Sequence, residues 1–277
     1  VMSSYALDPE LRLPTSEELP CSDETPVDNE LQNTLPNWLL AMLEQIWSER
    51  QDWFFGVDMG IYDRQAQITG GANVVPDGFL SVGVIRHKRA GKGRLSYVIQ
   101  EEQEIVPIFG IEIVSKSYGS EYQEKMLDYA RLGVKYYLIY NPEHYQRDKH
   151  EPFELYELVR GKYQRKREEP VWMPEIGLGI GRVRGEVGGI EREWLTWFDE
   201  TLTPYPLPQD LIQQLEERLE QVEQALEAKN QRVMGLEQTL EETEQTLEET
   251  EQALQAERTE KFRLIARLQQ LGLSLEE

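Results

Sequence analysis

Two acids stand where a carboxylate needs a partner. Asp77 follows Pro76 and opens an apolar run at 78–84, while Glu112 lies between Ile111 and Ile113 inside another, 108–114. A carboxylate buried in such a strand must meet a counter-charge or a metal, because desolvating it alone costs several kcal/mol. Acids near the ends of neighbouring strands can share a divalent cation, whose ligands are oxygens. Thirteen residues after Glu112 comes Lys125, early on the next helical segment and able to point back over the sheet end. A structural salt bridge to Lys or Arg explains the same acids as well as a metal does.

Other chemistries find less support. His87, His144 and His150 have no metal-ligand spacing, and a single cysteine, Cys21, excludes a disulfide framework or a multi-cysteine zinc site. There is no phosphate-cradling P-loop and no nucleophile elbow around a serine. Gly177-x-Gly179-x-Gly181 has the wrong third spacing for a dinucleotide fingerprint. The segment 86–94 carries Arg86, Lys88, Arg89, Lys92 and Arg94 with two glycines: either a contact for nucleic-acid phosphates or a solvated hairpin tip.

The elements that position these residues follow from pattern. Residues 1–30 hold eight acids, one base and four prolines, and read as an acidic, poorly ordered tail. Leu35, Trp38, Leu39, Met42, Leu43, Ile46 and Trp47 recur at helical spacing. Strands are expected at 53–62, 73–84, 97–99 and 105–114, then a helix over 121–132 closed by Gly133. A buried strand at 134–140 and strand pieces over 153–167 and 171–198 complete an α/β domain spanning 31–207. The net charge of −22 sits mostly at the ends, leaving −5 on 31–207, which argues against a strongly basic nucleic-acid face.

Beyond 207 one signal dominates. Ile212, Leu219, Leu226, Val233, Leu240, Leu247 and Leu254 fall every seventh residue. A second track, Leu215, Val222, Lys229, Leu236, Thr243 and Thr250, runs between them. This predicts a coiled coil over 208–271, with 272–277 as a tail and a homodimer as the simplest partner. No run reaches the ~18 apolar residues of a membrane span, and no signal-peptide pattern is present. The expectation is a soluble, cytoplasmic protein without a membrane partner.

The ordered set Pro76-Asp77-Gly-Phe-Leu-Ser-Val-Gly, Ile111-Glu112-Ile-Val-Ser115-Lys-Ser117, Glu121-x-x-x-Lys125-x-x-x-Tyr129, Gly133-Val134-x-Tyr136-Tyr137 and Asn141-Pro142 resembles the Uma-type restriction endonuclease family. That family, abundant in cyanobacteria, is a branch of the PD-(D/E)-x-K nuclease superfamily, and the resemblance runs over roughly 33–277. It implies a restriction-endonuclease-like mixed sheet flanked by helices, plus the coiled-coil extension. It further implies hydrolysis of DNA phosphodiesters with Mg²⁺ (or Mn²⁺), Asp77 and Glu112 being the metal ligands and Lys125 the catalytic cation. The superfamily lysine is expected two residues after the second acid, where this chain has Val114; Lys125 takes its place in the family, with Lys116 as the alternative. Asp58 and Glu44 are reserves for the metal shell. The competing reading is a catalytically weak or inactive nuclease fold, binding nucleic acid or assembling through its coiled coil.

Overall fold

The computed structural model describes residues 12–22, 30–88, 93–116 and 120–270. The chain divides into two compact units, Val1–Leu207 and Pro208–Glu277. The first contains α1 (Glu30–Ile46), β1 (Trp53–Val57), β2 (Ile61–Tyr62), α2 (Arg64–Thr69), β3 (Gly78–Val82), β4 (Tyr97–Val98) and β5 (Phe109–Ile113). There follow α3 (Glu124–Leu132), β6 (Tyr136–Tyr140), α4 (Tyr145–Asp148), β7 (Phe153–Val159), β8 (Lys162–Arg165), β9 (Val171–Met173), β10 (Leu178–Val187) and β11 (Ile190–Phe198). The second unit is one helix, α5 (Pro208–Gln270), of 63 residues.

Six strands form a mixed sheet in the order β1-β3-β5-β6-β7-β8, parallel only between β5 and β6. The parallel pair needs a crossover, and α3 supplies it. Alternation within β5 decides what each face becomes. Phe109, Ile111 and Ile113 enter a core shared with Leu35, Leu39 and Leu43 of α1 and with Trp194 and Trp197 of β11. The indole of Trp197 donates to the carbonyl of Leu39 at 3.0 Å, tying α1 to the β9–β11 sheet. The opposite face carries Phe79, Val114, Tyr137 and Ile139, covered by Tyr129 of α3. Burying each such side chain contributes about 1.5–3 kcal/mol. The site lies on this second face.

Several sequence expectations change in detail. The strand expected over 53–62 breaks at Asp58, which takes a left-handed conformation (φ 46°), so that β2 leaves the main sheet to pair with β4. The strands expected at 73–84 and 105–114 shorten to β3 and β5. The helix expected from 121 begins at Glu124, because 120–123 form a turn in which the N–H groups of Gln123 and Lys125 both donate to the carbonyl of Ser120. It does end at Gly133, which adopts φ 88° as the left-handed terminus requires. Residues 12–22, read as part of a loose acidic tail, are docked. Leu19 is buried, Ser16 bonds Glu101, and the carbonyl of Pro20 accepts from Tyr62 and Ser96. The remainder of the 1–30 tail before Glu30, together with Leu271 and the 272–277 tail, lies outside the described residues.

Candidate active site

Strand register assembles the site. Gly78 pairs with Ile111 in the antiparallel β3–β5 ladder, so Asp77 comes level with Glu112. Oδ2 of Asp77 accepts the N–H of Ile113 at 2.6 Å, locking the acid against β5. On its other side Val57 pairs with Gly78, and the N–H of Asp58 donates to the carbonyl of Asp77 at 3.3 Å. The reserve residue Asp58 therefore shares this sheet end. Glu44 does not: it is exposed on α1 and pairs with Arg86 at 2.9 Å.

Glu112 is 1% exposed, and both of its oxygens are engaged by α3. Oε1 accepts the Tyr129 hydroxyl at 2.6 Å and Oε2 accepts Nζ of Lys125 at 2.8 Å. Lys125 and Tyr129 stand four residues apart, on one helix face. Tyr129 passes so close to β5 that a Cβ on Gly110 would lie 2.9 Å from its ring. Lys116 is exposed, and its carbonyl accepts from Arg147. The geometry thus brings Asp77, Glu112 and Lys125 together.

Burial and the charge of Glu112 hold the Asp77 carboxyl well above the ordinary aspartate range, and the Ile113 N–H and Lys125 only partly offset them. Burial likewise raises Glu112, against the pull of Lys125 and Tyr129. Burial lowers Lys125, but Glu112, Asp77 and Glu121 outweigh it, leaving the ammonium held above its usual value. Two mutually repelling buried acids form a centre that a cation stabilises.

Glu121 is the residue to which sequence reasoning gave no role. It is 8% exposed, and its charge acts on Asp77, Glu112 and Lys125. Its carbonyl accepts the Tyr137 hydroxyl at 2.9 Å, while Oε2 is buried with no hydrogen-bond partner among the described residues. The Glu121-x-x-x-Lys125 spacing was visible, but nothing in it reveals that the acid is buried.

Among the described residues, no three His, Cys, Asp or Glu side chains gather closely enough to cage an ion. Two hard oxygen donors suit Mg²⁺, which commonly takes one or two carboxylates and completes its shell with water and phosphate oxygens. The donor set fits that group. Lys125 also lines a cleft of about 470 Å³, bounded by Tyr62, the 70–75 loop and Asp128.

Among the described residues, the cations of the basic segment pair with acids of the domain. Arg94 is buried against Glu102 at 2.8 Å, Lys88 pairs with Glu101 at 2.7 Å, and Arg86 stacks on Trp53 while pairing with Glu44. Arg89 and Lys92 lie outside the described residues. His150 stacks on Tyr122 at 3.6 Å beside Glu154, and the N–H of His144 donates to the side chain of Asn141.

The mixed sheet, its flanking helices and the paired acids on one face define a restriction-endonuclease-like domain. A family model described as "Uma2: Putative restriction endonuclease" matches residues 22–182, more than half of the chain. The chain belongs to that family. No curated protein and no solved structure matches it. Among the described residues, no helix is long and apolar enough to cross a membrane.

Proposed function

We propose that the α/β unit is an endonuclease that hydrolyses phosphodiester bonds in DNA with Mg²⁺ or Mn²⁺. The observation that carries this reading is the alignment of Asp77 with Glu112, with Lys125 Nζ 2.8 Å from Glu112; Lys125 also lines a neighbouring cleft, which neither acid lines. Asp77 and Glu112 would hold the ion. A divalent ion there supplies Lewis acidity and lowers the pKa of a water. The chain's own residues do the rest. Tyr129 fixes the orientation of Glu112, and the Ile113 N–H fixes Asp77. Lys125, reaching the cleft from α3, stabilises negative charge developing on the phosphate.

The test is cleavage of supercoiled, linear and single-stranded DNA, and of RNA, with Mg²⁺ and with Mn²⁺, beside a calorimetric metal titration. Asp77→Ala and Glu112→Ala should each abolish metal binding and cleavage while leaving a folded protein. Unchanged metal affinity in both variants would sink the assignment.

Two observations favour a second reading, a nuclease fold that binds or assembles without cutting. Both oxygens of Glu112 are already engaged, and Val114 fills the superfamily's lysine position. Under that reading Mg²⁺ neither binds at the acids nor supports cleavage, whereas DNA retention survives Asp77→Ala.

A further inference from the structure

We propose that α5 pairs with α5 of a second copy of this chain as a parallel, in-register, two-stranded coiled coil. The pairing does not rest on the proposed hydrolysis. The apolar track running every seventh residue from Ile212 to Leu254 is 50–61% exposed, though a helix leaves such a stripe wet only for want of a partner. At 1.5 Å per residue the 63-residue helix offers about 95 Å of seam.

The flanks of the seam select the partner and its direction. One flanking row repeats every seven residues from Glu216 to Glu251 and is acid at every step except Asn230. The other, from Arg218 to Ala253, contains no acid at all. In a parallel pair each row meets the opposite row of its partner five residues along, so Arg218 faces the partner's Glu223 and Arg232 faces the partner's Glu237. In an antiparallel pair the acidic row meets itself. None of these four residues has an opposite charge three or four positions away in its own helix, and among the described residues none makes an ion pair. Their charges are placed for another chain. The second seam track includes Lys229, Thr243 and Thr250, which suit two strands, where seam side chains still reach water; three strands would enclose them.

The experiment uses the full-length chain carrying Cys21→Ser and Thr250→Cys, with Leu215→Cys as a second site. Sedimentation should give a two-chain mass at micromolar concentration. Mild oxidation should join 250 to 250 and 215 to 215, positions that an antiparallel pair holds tens of ångströms apart. Arg218→Glu with Arg232→Glu should weaken dimerisation at least tenfold at low salt, and adding Glu223→Arg with Glu237→Arg should restore it. A monomer at tens of micromolar, a three-chain mass, or a dimer without either homotypic disulfide would overturn the proposal.

Discussion

Replacing Asp77 with asparagine isolates the electrostatic stress at the site. Asp77 is held between the Ile113 N–H and the charge of Glu112, and its carboxyl sits well above the usual range. A carboxyl raised on folding binds more protons in the folded than in the unfolded state between its ordinary and its raised pKa. Metal-free stability therefore falls as pH rises through that window, and the loss is fully present above it; below about pH 4 the group is protonated in both states. Asparagine keeps an oxygen for the Ile113 N–H and removes the charge. Relieving a poorly compensated buried polar group is worth about 1–3 kcal/mol. For a domain of this size that corresponds to roughly 2–10 °C in Tm. In thermal unfolding with chelator, Asp77→Asn should exceed the wild type at pH 8, match it near pH 4, and show a shallower pH dependence. Glu112, raised in the same direction, keeps part of the slope. Adding Mg²⁺ or Mn²⁺ should stabilise the wild type and not the variant. If Asp77→Asn is the less stable protein at pH 8 without metal, the carboxylate is not a strained charge and the electrostatic account fails. A metal-induced shift that survives in the variant would remove Asp77 from the ion's shell.

Lys125→Met should lower cleavage by about 10²–10³ with metal affinity retained, read by single-turnover kinetics beside calorimetry; a wild-type rate, with Lys116→Met inactive, transfers the role to Lys116. Gly110→Ala forces a Cβ to 2.9 Å from the Tyr129 ring and should cost about 1–3 kcal/mol by urea unfolding. A change under about half a kcal/mol, the size of an ordinary surface substitution, would show that the ring yields without cost. Arg94→Met strands the buried Glu102 carboxylate and should destabilise the domain by about 3–5 kcal/mol. A stable Arg94→Met protein with weakened DNA retention would instead return this residue to nucleic-acid contact.

What could be read from sequence follows the range of the interactions involved. The apolar run of β5, the Gly133 stop of α3 and the helical character of α5 are local patterns, and each element lies within the segment expected for it. Helix α2 is not legible in the sequence, although Asp63 caps its start by accepting from the N–H of Ala66 and Gly70 closes it with φ 77°. Six residues are too few for a hydrophobic period to show. The pairing of Asp77 with Glu112 needed the register of β3 against β5, which acids in two separate runs suggest and cannot fix. The burial of Glu121 and the internal pairing of Arg94 depend on contacts made by neighbouring loops. There, charge in the sequence looked like surface and became part of the interior.

Under the proposed function, a cation carried on α3 rather than at position 114 has a physical cause in the layer beneath α3. Val114 lies on the same face of β5 as Glu112 and packs with Tyr129, Tyr137 and Ile139. An ammonium there would be desolvated under the aromatic layer, at a cost of several kcal/mol unless fully paired. Helix α3 crosses that face and delivers the charge from the solvent side instead, leaving the Lys125 side chain one-third exposed beside the cleft. The same helix face supplies Tyr129 to the other oxygen of Glu112, and Gly110 provides the space for its ring. Gly110-x-Glu112 on the strand and Lys125-x-x-x-Tyr129 on the helix therefore work as one unit. The small residue admits the ring, the ring orients the acid, and the acid holds the lysine that lines the cleft. A lysine placed at position 114 would disrupt the packing on which that arrangement depends.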